Sequence, residues 1–236
     1  MAGTLYIVAT PIGNLEDVTL RAIRILKEVD IILAEDTRVT GKLLAFLSSK
    51  FKLQSSKLLS YHQHSGEKKK LEILNYLLDG KNIALVSDAG TPGISDPGNE
   101  LIDFILERSA GIPVIPIPGP AAITSAISVS GFNMSKFLFL GFFPKKKRNK
   151  LFEWIKNGNP SSGSGRGITF AFYESPYRIL KTLSILEEHF GSNCRVFIAR
   201  ELTKLHETLY RGTIEEVKQV LEKEKVRGEI TVVVDV

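Results

Sequence analysis

Short apolar runs alternate with helical periodicity through the first half of the chain. Thr4–Ala9 is an apolar, β-branched strand closed by the turn-rich segment Thr10–Asn14. Leu20, Ile23 and Leu26 then recur at helical spacing, with Asp17 or Thr19 as the N-cap. Ile31–Ala34 reads as a buried strand and Gly41–Leu47 as helix. Leu71–Leu78 is a helix stopped at Asp79–Gly80, and Ile83–Val86 a strand that runs into the Gly/Pro loop Ser87–Gly98. Leu101–Leu106 is helical, and Val114–Ile117 a strand broken by prolines. This alternation predicts a mostly parallel sheet with helices on both faces.

Ile112–Pro120 carries four prolines in nine residues, a stiff joint that places the domain boundary between 117 and 118. Beyond it the pattern predicts a helix over Ala121–Ser130 and an aromatic strand over Phe137–Phe143. Gly158–Gly167 reads as a flexible Gly/Ser loop. Strand Ile168–Tyr173 and a helix with Ile179, Leu183, Leu186 and Phe190 on one face follow. Strands Arg195–Ala199 and Glu207–Arg211, a helix with Ile214, Val217 and Leu221, and strand Glu229–Val234 complete an α+β half with a mixed sheet.

The 236 residues are 43% hydrophobic and 24% charged, enough apolar material for a real core, which excludes disorder and collagen-like repeats. No apolar run approaches the ~20 residues of a membrane span, and the first residues lack the features of a signal peptide. Cys194 is the lone cysteine, so the chain is expected to be cytosolic. The net charge of +5 changes the picture only because it is uneven. Lys145, Lys146, Lys147, Arg148 and Lys150 crowd together, as a polyanionic partner or an ordinary solvated loop would have them.

Candidate chemistry sits where strands end. Ser87–Gly98 (SDAGTPGISDPG) follows a strand and precedes a helix, the place where open α/β sheets hold ligands; a long turn capped by Asp88 and Asp96 is the alternative. It lacks the G-x-G-x-x-G pattern, and Asn99–Glu100 stand where a P-loop needs Lys–Ser/Thr, so neither a dinucleotide fold nor an NTPase is indicated. Glu35–Asp36–Thr37–Arg38 follows another strand and could orient a substrate or cap a helix. His62 and His64 lie two apart without a third metal ligand nearby, which leaves a general base, an RNA contact or a polar loop. Tyr173–Arg178 and Arg200–Glu207 are two further polar strand ends, expected to line one cleft. Phe142–Phe143–Pro144 before the basic cluster suits stacking on bases plus phosphate contacts, or an edge strand entering a solvated loop.

Taken in order, ATPIGNLEDVTLRA (9–22), AEDTR (34–38), VSDAGTPGISDPG (86–98), PGPAA (118–122), FYESPYR (172–178) and ARELTKLHE (199–207) resemble the ribosomal RNA small subunit methyltransferase I family of the tetrapyrrole-methylase superfamily. The resemblance covers nearly the whole chain. It implies a homodimer of two α/β domains, 1–117 and 118–236, with S-adenosylmethionine in a cleft between them. The implied reaction is 2′-O-methylation of a cytidine ribose in the decoding region of small-subunit (16S) rRNA, free or in the assembled 30S subunit.

Position by position, the resemblance assigns cofactor contacts to Pro11, to Val86, Ser87, Asp88 and Ile94, to Ala121 and Ala122, and to the main chain at Glu174 and Leu202. A Gly-Thr-Pro insertion lengthens the loop before Ile94. The chain departs from the family in YHQHSG (61–66), where an acid and an asparagine are expected after the first histidine, and in FFPKKKR (142–148) in place of a Leu–Pro–Arg–Lys form. A ribose 2′-hydroxyl is a weak acid and needs a proton acceptor. Glu35, Asp36, Arg38 and His64 are the expected catalytic group, ahead of Glu174 and Arg200, and residues 145–148 with Lys150 the RNA-binding cluster. The alternatives are a tetrapyrrole C-methyltransferase, which has no need of that cluster, and an RNA-binding protein without enzymatic activity, which has no need of the cofactor loops.

Overall fold

Four-residue apolar strands can stay in one sheet only if both faces are covered, and the first sheet meets that condition. The computed structural model describes residues 1–51, 56–146, 148–157 and 168–236; the Gly/Ser loop 158–167 and Lys147 lie outside the described residues. Strands β1 (Leu5–Val8), β2 (Ile31–Ala34), β3 (Lys57–Ser60), β4 (Ile83–Val86) and β5 (Val114–Ile117) form an entirely parallel sheet in the order β3-β2-β4-β1-β5. Ile83 and Leu85 of β4 pack with helices α3 (Glu67–Leu78) and α4 (Asn99–Arg108). Ala84 and Val86, pointing the other way, pack with α1 (Leu20–Glu28) and α2 (Thr37–Phe51). Burial on both faces is why β2 and β4 read as unbroken apolar runs. Each fully buried Leu or Ile contributes about 1.5–3 kcal/mol.

Thr19 is the N-cap of α1, its hydroxyl accepting from the Ala22 N–H at 3.1 Å. Leu20 at the first helical position is exposed, and the packed face of α1 is Ala22, Ile23, Ile25 and Leu26. Pro116 is tolerated in β5 because that strand is an edge. The expected pattern missed β3, whose ends Lys57 and Ser60 are exposed.

The chain divides into two units, Met1–Ala121 and Ala122–Val236. The second holds α5 (Ala122–Ser130), β6 (Leu138–Phe142), α6 (Asn149–Asn157), β7 (Phe170–Glu174), α7 (Ile179–Phe190), β8 (Arg195–Arg200), β9 (Thr208–Thr213), α8 (Ile214–Leu221) and β10 (Ile230–Asp235). Its sheet runs β6-β7-β10-β8-β9, with β6 and β7 parallel and the other pairs antiparallel. Phe152 and Ile155 of α6, Leu183 and Leu186 of α7 and Val217 and Leu221 of α8 cover one face. On the other, α5 packs on β10 and β8. Arg211 lies over the Phe197 ring and donates to the Ser130 carbonyl at 2.9 Å, tying down the end of α5. A capping box between Thr213 and Glu216 starts α8. Helix α6 went unread in the sequence, where residues 145–150 pass for loop; Lys150 belongs to its first turn.

Candidate active site

In a parallel sheet every strand ends on the same edge, so the five polar strand ends of the first unit converge. They are Thr10–Pro11, Glu35–Asp36, Tyr61–His62, Ser87–Asp88 and Pro118–Gly119, after β1, β2, β3, β4 and β5. Neighbouring β1 and β4 lead into α1 and α4, which lie on opposite faces of the sheet. Their loops therefore diverge and open a crevice at the topological switch point.

Backbone holds that crevice together. Thr10 and Gly90 exchange N–H···O bonds of 2.9 and 3.1 Å across the two loops, and the buried Thr10 hydroxyl donates to the Ser87 carbonyl at 3.2 Å. The Ser87 hydroxyl donates to the Gly90 carbonyl at 3.2 Å, and Thr91 Oγ1 to the Pro120 carbonyl at 3.0 Å. Gly90 has φ +83, and a Cβ there would stand 3.3 Å from Ile12 Cγ2; at Gly119 it would stand 2.9 Å from the Ala9 Cβ. Further along, Asn99 Nδ2 donates to the Gly93 carbonyl at 3.0 Å, Ser95 takes φ 63, and Ile94 points outward, exposed.

The charged groups fall into two sets. The Asp36 N–H donates to Asp88 Oδ1 at 2.9 Å, and the Asp88 N–H hydrogen-bonds the Glu35 carboxylate. Burial first, and repulsion by Asp88 second, raise the Glu35 carboxyl above its ordinary value, against the pull of Asp88's N–H and of nearby His62. Asp36 instead is clasped by Arg38, whose Nε and Nη2 reach it at 3.0 and 2.6 Å. That hydrogen bonding holds the Asp36 carboxyl down at about 2. The His64 N–H donates to His62 Nδ1 at 3.2 Å, so neutral His62 carries its proton on Nε2. Glu35, Asp36, Arg38 and Asp88 are thus brought together with His62, and His64 is attached through the His62 ring. The sequence offers His62 and His64 as equal candidates and the expected catalytic group takes His64; what favours His62 is its place two residues after β3, the unread strand.

In the second unit β6, β7 and β8 run parallel to one another, so the ends 143–148, 175–178 and 201–207 share one sheet edge. The Glu174 side chain turns inward. It is 4% exposed and accepts from Thr182 Oγ1 at 2.6 Å and the Ser175 N–H at 2.7 Å, with Arg178 at 3.4 Å. Arg200 donates from Nη2 to Thr208 Oγ1 at 2.8 Å. Leu202 lies between Glu201 (φ 51) and Thr203 (φ 66), left-handed conformations that cost non-glycine residues of order 1–3 kcal/mol each. Lys204 braces the turn, reaching Glu201 and Glu229 at 2.9 Å each. Of the aromatic pair, Phe143 is core at 2% and Phe142 is 65% exposed. Lys145, Lys146 and Lys150 are exposed and Arg148 half-buried.

Residues 4–218 match the family model for tetrapyrrole (corrin/porphyrin) methylases. The ribosomal RNA small subunit methyltransferase I of Thermotoga maritima is 48% identical over 98% of this chain and 97% of its own. The chain belongs to that family. The Halalkalibacterium halodurans member is 46% identical over 99% of this chain and 76% of its own. Solved structures share the fold. A cobalt precorrin-4 methyltransferase matches with TM-score 0.69 at 16% identity, over 98% of this chain and 94% of that one. Uroporphyrin-III C-methyltransferase of Thermus thermophilus, complexed with S-adenosylhomocysteine, matches with TM-score 0.65 at 19% identity, over 98% and 97%.

Membership in the family makes the chain an S-adenosylmethionine-dependent methyltransferase, and the residues of the crevice fit that cofactor. Where the loops after β1, β4 and β5 meet, a Cβ at Gly90 would crowd Ile12 and one at Gly119 would crowd Ala9, so glycine lets these loops close on one another and fixes the floor of the crevice. The carboxylate of Asp88 is suited to a cationic group of that cofactor.

Proposed function

We propose that the chain methylates the ribose 2′-oxygen of a cytidine in the decoding region of small-subunit rRNA, acting in the cytoplasm as a homodimer on the rRNA or the 30S subunit. The family name carried by the relatives supports the substrate class, and the basic residues around 145–150 suit a polyanion. The observation that carries the chemistry is Glu35, half-buried against Asp88 at the end of β2.

The cofactor supplies an electrophilic methyl group on sulfur. Asp88, with Val86 at the end of β4, Pro11, Ser87 and Ile94 on the loops and Ala121 and Ala122 after β5, holds it; the main chain at Glu174 and Leu202 is assigned to the adenosine on the family pattern. Glu35 takes the proton of the ribose hydroxyl as its oxygen attacks. The raised carboxyl makes Glu35 a better base than Asp36, whose charge is spent on Arg38. Asp36 and Arg38 brace the start of α2, and the His64 N–H fixes the His62 ring so that its Nε2–H can donate. Positioning of the hydroxyl supplies much of the acceleration.

The test is transfer of labelled methyl from S-adenosylmethionine to small subunits that lack the modification, followed by digestion. Label on a cytidine ribose is expected. Cofactor bound by calorimetry with no label on rRNA would overturn the rRNA substrate and leave a small molecule, such as a tetrapyrrole, as acceptor.

A further inference from the structure

We propose that the open end of β6 is a nucleobase-stacking site, in which Phe142 holds a base of single-stranded RNA while Lys145, Lys146, Arg148 and Lys150 hold the adjoining phosphates. The proposal rests on the rRNA reading above.

A bulge places the ring. Residues three apart on a regular strand point to opposite faces, yet Phe139 and Phe142 both meet Tyr173 edge-on, with centroids 5.2 and 5.8 Å away. The register between β6 and β7 shifts between these two positions, and Gly141 sits there at φ 65. Such a bulge re-aims a side chain. Here it turns Phe142 out to 65% exposure while Phe143 stays in the core. Tyr173 fixes the orientation of the ring, so little freedom is lost when a flat partner stacks on it.

The surroundings select the partner. An exposed ring on an edge strand is a liability in a protein without an occupant for it. The segment 142–150 carries five cations and no acid. Arg148 Nη1 donates to the Lys145 carbonyl at 3.1 Å, which holds these two cationic residues near each other, and Arg178 Nη2 reaches the Phe143 carbonyl at 3.4 Å. An aromatic face with cations on one side matches a base and its phosphates. Stacking on an aromatic side chain ignores base identity and needs an unpaired base.

Fluorescence anisotropy with three probes tests this: a short single-stranded RNA, its duplex, and a strand of the same length made wholly abasic. Phe142→Ala should weaken single-strand binding about tenfold, in line with roughly 1–3 kcal/mol per stacked base. It should leave the salt slope and the affinity for the abasic strand unchanged, and Phe142→Trp should bind like the parent. Lys145→Gln with Lys146→Gln should lower the slope by about 0.7 per charge removed. Equal single-strand affinity of Phe142→Ala and the parent would overturn the stacking site alone. So would an equal loss on the abasic strand, a changed mass in solution, which points to a second copy on this edge, or binding to anionic vesicles in place of RNA. A parent protein that binds no RNA and methylates no subunit would overturn the rRNA reading and the stacking site together.

Discussion

Replacing Glu35 by glutamine removes the proposed proton acceptor while keeping its size and its ability to accept the Asp88 N–H. A positioned general base contributes about 10²–10⁴-fold, roughly 3–5 kcal/mol of barrier. Glu35 is only half-buried and remains reachable by water, so the loss should lie at the low end of that range, near 10²-fold. The assay is single-turnover methyl transfer at saturating cofactor, with cofactor affinity measured separately by calorimetry. Glu35→Gln should lose turnover while binding cofactor within a few-fold of the parent, and Asp36→Asn should lose only several-fold, since its carboxylate serves Arg38. The pH profile adds a second reading. Activity needs ionised Glu35, so the acid limb of the parent should lie above the ordinary glutamate value of 4.5. Asp88→Asn, by removing a neighbouring charge, should move that limb to lower pH. The sign for stability is opposite. A carboxyl raised on folding binds more protons in the native state, so stability falls as pH rises past the unfolded value, and Glu35→Gln should melt no lower than the parent at neutral pH. Turnover of Glu35→Gln within tenfold of the parent, or an acid limb unmoved in Asp88→Asn, would refute the assignment.

Gly119→Ala forces a Cβ to 2.9 Å from the Ala9 Cβ; such overpacking costs about 1–3 kcal/mol, and a shifted loop after β5 should weaken cofactor binding in calorimetry more than it lowers the melting temperature. Thr182→Val keeps the shape but takes one donor from the buried Glu174 carboxylate, whose bond is 2.6 Å long. Hydrogen bonds to charged groups contribute about 1.5–3 kcal/mol, so denaturant unfolding should show a loss of that size.

What could be read from the sequence follows from how parallel sheets are built. β2 and β4 were legible to the residue because strands buried on both faces leave an unbroken apolar signature, and the edge strand β5 because prolines bound its short β-branched run; because parallel strands carry their polar ends to one edge, each motif after a strand of the first sheet had to meet the others there. β3 was lost because an edge strand of four residues with Lys57 and Ser60 at its ends leaves no such signature, and with it the placement that separates His62 from His64. The bulge at Gly141 and the left-handed Glu201 and Thr203 were equally silent: a lone glycine marks many things, Glu201 is bonded by Lys204 and by the Glu229 N–H, which the sheet brings to it, and the Thr203 N–H donates to Glu207.

The two candidate carboxylates after β2 stand out in the sequence; the difference between them does not. Glu35 and Asp36 are adjacent carboxylates after the same strand, equal candidates in the sequence. Their difference lies in what the fold brings to each. The guanidinium two residues on claims Asp36 within its own turn, while Glu35 is claimed by β4, whose Asp88 offers it an N–H and a repelling charge at once. A local partner holds Asp36 low, while a partner delivered by sheet register leaves Glu35 raised, and on that difference rests its proposed role as proton acceptor. The Glu174 side chain, conspicuous in FYESPYR, is occupied by Thr182 and the Ser175 N–H and ties α7 to β7, which leaves only its main chain for the proposed contact to the adenosine.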